Sequence, residues 1–200
     1  MSVATIRRIT VEKITRRYQL SIDVIIIDSG VEGPTVVCVG GTHGNEYQGM
    51  KTVRHIEFAP EIAQLECGRL ILISTVNVRG ALAGIREFPW YGKLYDLNRL
   101  FPGNPNGSIP EQLVDLVFQT ILSYDPDFVI DFHAWSRRSV DAFALLANPK
   151  TEQGKVAWGK AFAIARQSGA VVCSDGTLDK HSDRELSCVL LDRGIPAMVV

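Results

Sequence analysis

The sequence predicts an α/β domain of three layers built on a mostly parallel or mixed central sheet. Three observations point there. Short apolar or β-branched runs recur along the chain, as in Pro34–Val39, Arg69–Val76 and Asp127–His133. Stretches with helical spacing of apolar residues separate them. The last stretch repeats the same grammar, with Gly194 and Pro196 standing between a helix and the apolar Ala197–Val200.

Taken in order, an arginine-rich start precedes QLSIDVIIIDSG, which reads as a strand running into a turn, and GPTVVCVGG is a second β-branched run that ends in glycine. A helix is expected from Asn45 to Ile56, weakened by Gly49. The strand Arg69–Val76 gives way at Asn77, Arg79 and Gly80 to an irregular polar-aromatic loop that reaches Gly107. Loops of that length in a compact domain tend to bind something, and the buried-type residues in REFPWYGKLYDLNRLFPGNPNG favour order. Ser108 and Glu111 have capping-box spacing, with Pro110 in the first turn and Leu113, Val114, Val117, Ile121 and Leu122 on one stripe, so a helix starts there. The strand Asp127–His133 follows an Asp-Pro turn. Beyond it the pattern gives a strand at Ala142–Ala147, a helix at Glu152–Gln167, a short strand at Ala170–Cys173 and a helix at Arg184–Asp192.

Composition narrows the class. Two hundred residues, 46% of them hydrophobic, suit one domain able to bury a sizeable core. Twenty-one basic and 22 acidic side chains give a net charge of -1 with no basic run, which argues against nucleic acid or an anionic membrane as partner. No stretch has the length of a signal-peptide core or a membrane span, so a soluble cytoplasmic protein is expected. Cys38, Cys67, Cys173 and Cys188 lie far apart without C-x-x-C spacing. They read as mostly buried free thiols, which excludes a disulfide scaffold and a cysteine-based zinc finger.

Ligand-type side chains gather where strands end, the place where open α/β sheets carry their sites. His43 and Glu46 follow one strand in GGTHGNEYQG, Asn77 and Arg79 follow another, and His133 closes a third. A lone histidine at a strand end is ordinarily a hydrogen-bonded structural residue, and short His-x-x-Glu matches arise by chance. Three strand ends together favour a three-ligand face of two histidines and a glutamate with an open fourth position, in which zinc makes water acidic enough to act as nucleophile. Gly40, Gly41 and Gly44 would let the backbone turn tightly enough to aim both ligands inward. Asp131 shares strand parity with His133 and either orients that ligand or partners a backbone group. His55 reads as exposed on a helix and His181 as part of a polar turn. Arg79, Arg86, Arg99 and Asn98 form either a solvated loop face or an anion clamp; the flanking Tyr95, Leu97, Leu100 and Phe101 favour the clamp. Together these parts suit hydrolysis of an acyl bond in a small anionic substrate.

The ordered motifs GGTHGNEYQG, NVRGALAGIREFP, YDLNRLFPG, DFHAW and GIPAMVV resemble the succinylglutamate desuccinylase/aspartoacylase family, within the zinc carboxypeptidase-like hydrolases. The resemblance runs from Gly33 to Val200. It implies a zinc-carboxypeptidase-like fold with zinc held by His43, Glu46 and His133. It also implies Arg86 as the residue that polarises the scissile carbonyl, and Asn98 with Arg99 as the pair that holds the substrate carboxylate. The implied activity is zinc-dependent cleavage of a small N-acyl amino acid or related carboxylated amide, with the acyl group and amine left open by the aromatic segment Trp90, Tyr91, Lys93 and Tyr95.

Family members carry a catalytic glutamate directly after the G-I-P-A strand, and the sequence stops at Val200 before that position. Glu87 and Glu185 are the nearest spare carboxylates and neither matches it. The expectation is a single catalytic domain over residues 1–200, C-terminally incomplete, that folds and binds zinc without turnover, because no matching carboxylate accepts the proton of water. The stop also leaves the edge beyond Ala197–Val200 without its continuation, so exposed apolar surface and self-association into a homo-oligomer are expected. A non-catalytic binding module for a carboxylated ligand is the alternative.

Overall fold

The computed structural model describes residues 4–15, 18–134, 143–173 and 182–200. An eight-stranded mixed sheet runs through the molecule with helices on both faces, as the sequence predicts. In chain order the elements are β1 (Thr5–Ile14), β2 (Gln19–Asp28), β3 (Thr35–Gly40), α1 (Tyr47–Phe58), β4 (Arg69–Ile73), α2 (Val78–Ala83), β5 (Phe88–Trp90) and β6 (Lys93–Tyr95). There follow α3 (Ile109–Ser123), β7 (Phe128–Phe132), β8 (Phe143–Leu145), α4 (Glu152–Gln167), β9 (Val171–Cys173), α5 (Leu186–Asp192) and β10 (Ala197–Val199). The strand order is β1-β2-β4-β3-β7-β10-β8-β9, and β5 with β6 forms a separate hairpin.

The parallel heart of the sheet is β4-β3-β7-β10, which sets the carboxyl ends of β3 and β7 side by side. Alternation along the strands divides the interior in two. Leu20, Ile22, Val24 and Ile26 of β2, Val37 and Val39 of β3, and Ile71 and Ile73 of β4 face α3, α4 and α5 in the larger core. Ile25, Ile27, Cys38 and Leu72 point the other way and meet Val53 of α1. Each fully buried Ile or Leu in these layers stabilises the fold by about 1.5–3 kcal/mol relative to exposure.

Several expected elements fall into place. Ser108 N–H donates to Glu111 Oε2 at 2.8 Å, closing the capping interaction at the start of α3. Thr151 Oγ1 accepts from Gly154 N–H at 3.0 Å at the start of α4. Cys38 and Cys188 are buried, Cys67 is exposed and all four cysteines are free. His55 is exposed, whereas His181, Trp135 and Ala142 lie outside the described residues.

Other elements differ from expectation. The arginine-rich start is strand β1, paired along its whole length with β2. Its charges anchor it: Arg8 reaches the buried Glu57 of α1, and Lys13, of opposite parity, donates to Asp115 of α3 at 2.9 Å. The long loop after β4 holds α2 and the β5-β6 hairpin. Strand β10 lies inside the sheet between β7 and β8, with Ala197 and Met198 buried. Val200 N–H donates to Asp131 O at 3.0 Å and its carbonyl accepts from His133 N–H at 2.7 Å, so the end of β10 is fastened to the strand that carries His133. No helix among the described residues is long and apolar enough to cross a membrane.

Candidate metal centre

The turn after β3 is shaped by close backbone approaches. Gly41 has φ +67°, in the region where glycine is strain-free. A Cβ on Gly44 would lie 2.2 Å from the carbonyl carbon of Gly80, and one on Gly49 would lie 2.2 Å from Phe132 O. The corner therefore sits directly on α2, and the first turn of α1 sits directly on the end of β7. Gly49, a poor helix residue by propensity, is what lets Glu46 and His133 approach from two different elements. Gly44 N–H donates to Arg86 O at 2.9 Å, and the buried Asn77 adds a bond from Nδ2 to the same carbonyl at 3.2 Å. Asn77 is thus a strut that places Arg86.

His43, Glu46 and His133 meet, with one ligand atom from each lying within 4.8 Å of the others. Glu46 Oε1 is 2.9 Å from His43 Nδ1, and Glu46 Oε2 is 2.8 Å from His133 Nδ1. The two Nδ1 atoms are 3.0 Å apart. On the outer side of each ring stands another carboxylate: Asp96 Oδ1 is 3.0 Å from His43 Nε2, and Asp131 Oδ2 is 3.0 Å from His133 Nε2. An ionised carboxylate only accepts hydrogen bonds, so each Nε2 donates its proton outward and each Nδ1 is the ring atom turned inward. Two imidazole Nδ1 atoms and a carboxylate converging at one enclosed point are the donor set of a divalent-metal site, and the outer carboxylates supply the usual orienting shell.

Asp131 therefore orients His133, which decides between the two roles its parity allowed. Asp96 was not singled out from the sequence. Its signal lay in the DLNR run, where it caps the short turn Leu97–Arg99 by accepting Asn98 N–H at 3.0 Å while holding His43. Burial opposes charge on Asp96, yet the hydrogen bond from His43 and the fields of His43, Arg86 and Arg99 lower its pKa from 3.8 to about 2. Its contribution to stability is complete above 3.8 and is lost as the pH falls through about 2. For Glu46, burial is likewise outweighed by hydrogen bonds from His133 and His43, which hold the carboxyl well below the usual range. His133 is pushed the other way: despite burial, Asp131 and Glu46 raise its pKa to about 10. Asp96→Ala is expected to keep the fold and weaken divalent-metal affinity by about 10–100-fold, measured by competition with a chromogenic chelator. Unchanged affinity would remove Asp96 from the site.

The cationic residues divide. Arg86 Nη1 donates to Glu46 Oε1 at 2.7 Å, and its Nη2 is 3.7 Å from Asp96 Oδ2. Arg99 Nη1 donates to Glu185 Oε1 at 2.8 Å. Asn98 is buried and its Oδ1 accepts from Leu186 N–H at 3.2 Å, fastening this turn to the start of α5. Arg79 stands apart from the centre, stacked over Trp90 at 4.7 Å and Phe88 at 5.9 Å.

Comparison with known proteins agrees with this geometry. The family model of the succinylglutamate desuccinylase/aspartoacylase catalytic domain matches residues 32–182. N-alpha-acetyl-L-2,4-diaminobutyric acid deacetylase of Halomonas elongata is 35% identical over 116 residues, which are 58% of this chain and 32% of that protein. An aspartoacylase family protein from Mesorhizobium loti superposes over the whole chain, and 61% of its own, with a TM-score of 0.76 at 23% identity. The product-bound ectoine utilization protein of Ruegeria pomeroyi gives 0.77 at 22% identity, over 100% of this chain and 59% of its own. Those two structural likenesses speak for the fold alone, and the chain spans less than two thirds of each of these relatives. The family match covers most of the sequence and takes in the histidine-glutamate corner, the arginine loop and His133 alike, so the chain belongs to the succinylglutamate desuccinylase/aspartoacylase family.

Proposed function

We propose that the centre holds zinc and that the chain is the catalytic domain, over residues 1–200, of a deacylase that hydrolyses the amide bond of small N-acyl amino acids. The observation that carries this reading is the convergence of two inward Nδ1 atoms and the Glu46 carboxylate at one enclosed point. Zinc has the right affinity for that donor set and supplies Lewis acidity, polarising an acyl carbonyl and making water nucleophilic near neutral pH. The acyl-amino-acid class is carried over from the family description and from the Halomonas deacetylase.

The chain's own residues divide the remaining work. Asp96 and Asp131 fix the ring orientation of His43 and His133. Arg86 is tethered to Glu46 beside the centre with 41% of its side chain exposed, and a guanidinium has five N–H donors. Its unengaged donors are free to hold the acyl oxygen as negative charge develops there. Arg99 meets the substrate carboxylate, with Asn98 keeping the turn in place and adding its amide to the clamp. A binding module without turnover would keep the same clamp; release of free amine from an N-acyl amino acid, abolished by chelation and restored by zinc, separates the two.

Arg99→Ala tests the division of roles. The expected result is full metal content with the Kd for a carboxylated ligand raised about tenfold or more, because one charge-assisted pair is lost from the ligand and none from the centre. Metal loss equal to that of a ligand substitution would mean that Arg99 belongs to the centre instead.

A further inference from the structure

Both residues of the carboxylate clamp are gripped from behind by one short segment, residues 184–186. Phe101 N–H donates to Arg184 O at 3.2 Å, and Leu186 N–H donates to Asn98 Oδ1 at 3.2 Å. Bonds on either side of Glu185 thus fasten it against the turn Leu97–Arg99. Its own side chain closes the gap between them, with Oε1 accepting from Arg99 Nη1 at 2.8 Å. The same Nη1 donates to Asn98 O at 3.1 Å. Glu185 stands at the N-cap of α5, where an acidic side chain ordinarily turns to the free N–H groups of the helix. It makes no such bond, and its carboxylate is committed to Arg99 instead.

These contacts sort what the clamp can offer. A guanidinium holds five N–H donors in one plane, and Nη1 carries two of them. Here Nη1 has two acceptors, Glu185 and Asn98 O. Among the described residues Nε and Nη2 donate to nothing, and those two atoms form an edge able to bind a carboxylate by two parallel hydrogen bonds. Asn98 is sorted in the same way: Leu186 takes its Oδ1, and among the described residues its Nδ2 donates to nothing. What the turn has left are donors, which match an anion. The Arg99 side chain is 32% exposed, and a long side chain with that freedom would otherwise have to be ordered by the ligand itself. Held at Nη1 it is ordered beforehand, and a ligand carboxylate docks on the Nε–Nη2 edge without displacing Glu185.

We infer that Glu185 is the positioning residue of the carboxylate clamp: by holding Nη1 it presents the Nε–Nη2 edge of Arg99, already oriented, to the substrate carboxylate. The inference rests on the deacylase reading, with Arg99 as the clamp. It is tested by calorimetric titration of the zinc-loaded protein with N-methanesulfonyl-2-aminobutyrate, whose sulfonamide replaces the scissile amide and resists hydrolysis, and with the carboxamide of the same compound. The wild-type protein should bind the carboxylate about tenfold or more tightly than the carboxamide, and Arg99→Ala should erase that difference. Glu185→Ala, at unchanged metal content, should cut it about fivefold by weakening the carboxylate alone. Glu185→Gln, which still accepts from Nη1, should keep it. Glu185→Ala added to Arg99→Ala should change nothing further. A Glu185→Ala protein that binds the carboxylate as well as the wild type, or better, would overturn the inference and make Glu185 a counter-ion that competes for Arg99. Equal weakening of both ligands would overturn it too, because a structural fault at the turn does not tell them apart. So would a Glu185→Gln protein as weak as Glu185→Ala. Each of these results leaves the deacylase reading standing. Wild-type protein that binds the two ligands alike, or binds neither, would overturn the clamp of that reading along with the inference.

Discussion

Replacing His43 with alanine is expected to abolish stoichiometric metal binding, lowering affinity by more than the roughly 10–100-fold that loss of an orienting partner costs. The substitution removes an inward ring nitrogen and also strips two acids of a neighbour, the buried Glu46 and the half-buried Asp96. Glu46 loses a partner at 2.9 Å and Asp96 one at 3.0 Å. Any hydrolytic activity of the protein should vanish with the metal. Because His43 is 98% buried by its neighbours at 2% exposure, an imidazole-sized void follows, so folding must be read separately by circular dichroism. A folded His43→Ala protein that still takes up one metal ion with wild-type affinity would contradict the proposed ligand set.

Gly44→Ala should produce a metal defect without touching a ligand. The added Cβ would meet Gly80 C at 2.2 Å and Ala81 N at 2.4 Å, both of them backbone atoms that cannot swing aside. Overpacking of this kind costs about 1–3 kcal/mol. The strain falls on the segment between His43 and Glu46, so those two should separate and metal affinity should drop together with Tm. Gly159→Ala provides the control. A Cβ at Gly159 in α4 meets nothing within 4 Å, and alanine there should raise helix stability by up to about 1 kcal/mol with metal binding unchanged. If Gly44→Ala behaved like Gly159→Ala, the tight corner would not be what aims the ligands.

The parts of this molecule that were legible in sequence are those whose cause is local. The capping pair Ser108 and Glu111, the helix Glu152–Gln167 and the β-branched runs of β2 and β3 carry their instructions within a few residues. His43, Glu46 and His133 were legible because each closes a strand or opens a helix, where α/β sheets present side chains. What stayed hidden depends on distant partners. Strand β1 looked polar because its charges are answered elsewhere, Arg8 by Glu57 and Lys13 by Asp115. The β5-β6 hairpin is short and aromatic, and it packs through Trp90 against Tyr18 from the turn before β2 and against Arg79 of α2. Asp96 and Glu185 gained their meaning only when the turn Leu97–Arg99 was placed between His43 and α5. The position of β10 was likewise invisible: an apolar strand at the end of a sequence gives no sign that its neighbours will be β7 and β8.

The central claim is that His43, Glu46 and His133 bind zinc as one centre. X-ray absorption at the zinc edge, on protein loaded with one equivalent of zinc, reads the ligand set directly. The account predicts a shell of nitrogen and oxygen donors at about 2.0–2.2 Å, with imidazole outer-shell scattering from two histidines and no sulfur. Zinc–sulfur scattering at about 2.3 Å, or imidazole scattering from fewer than two rings, would contradict it.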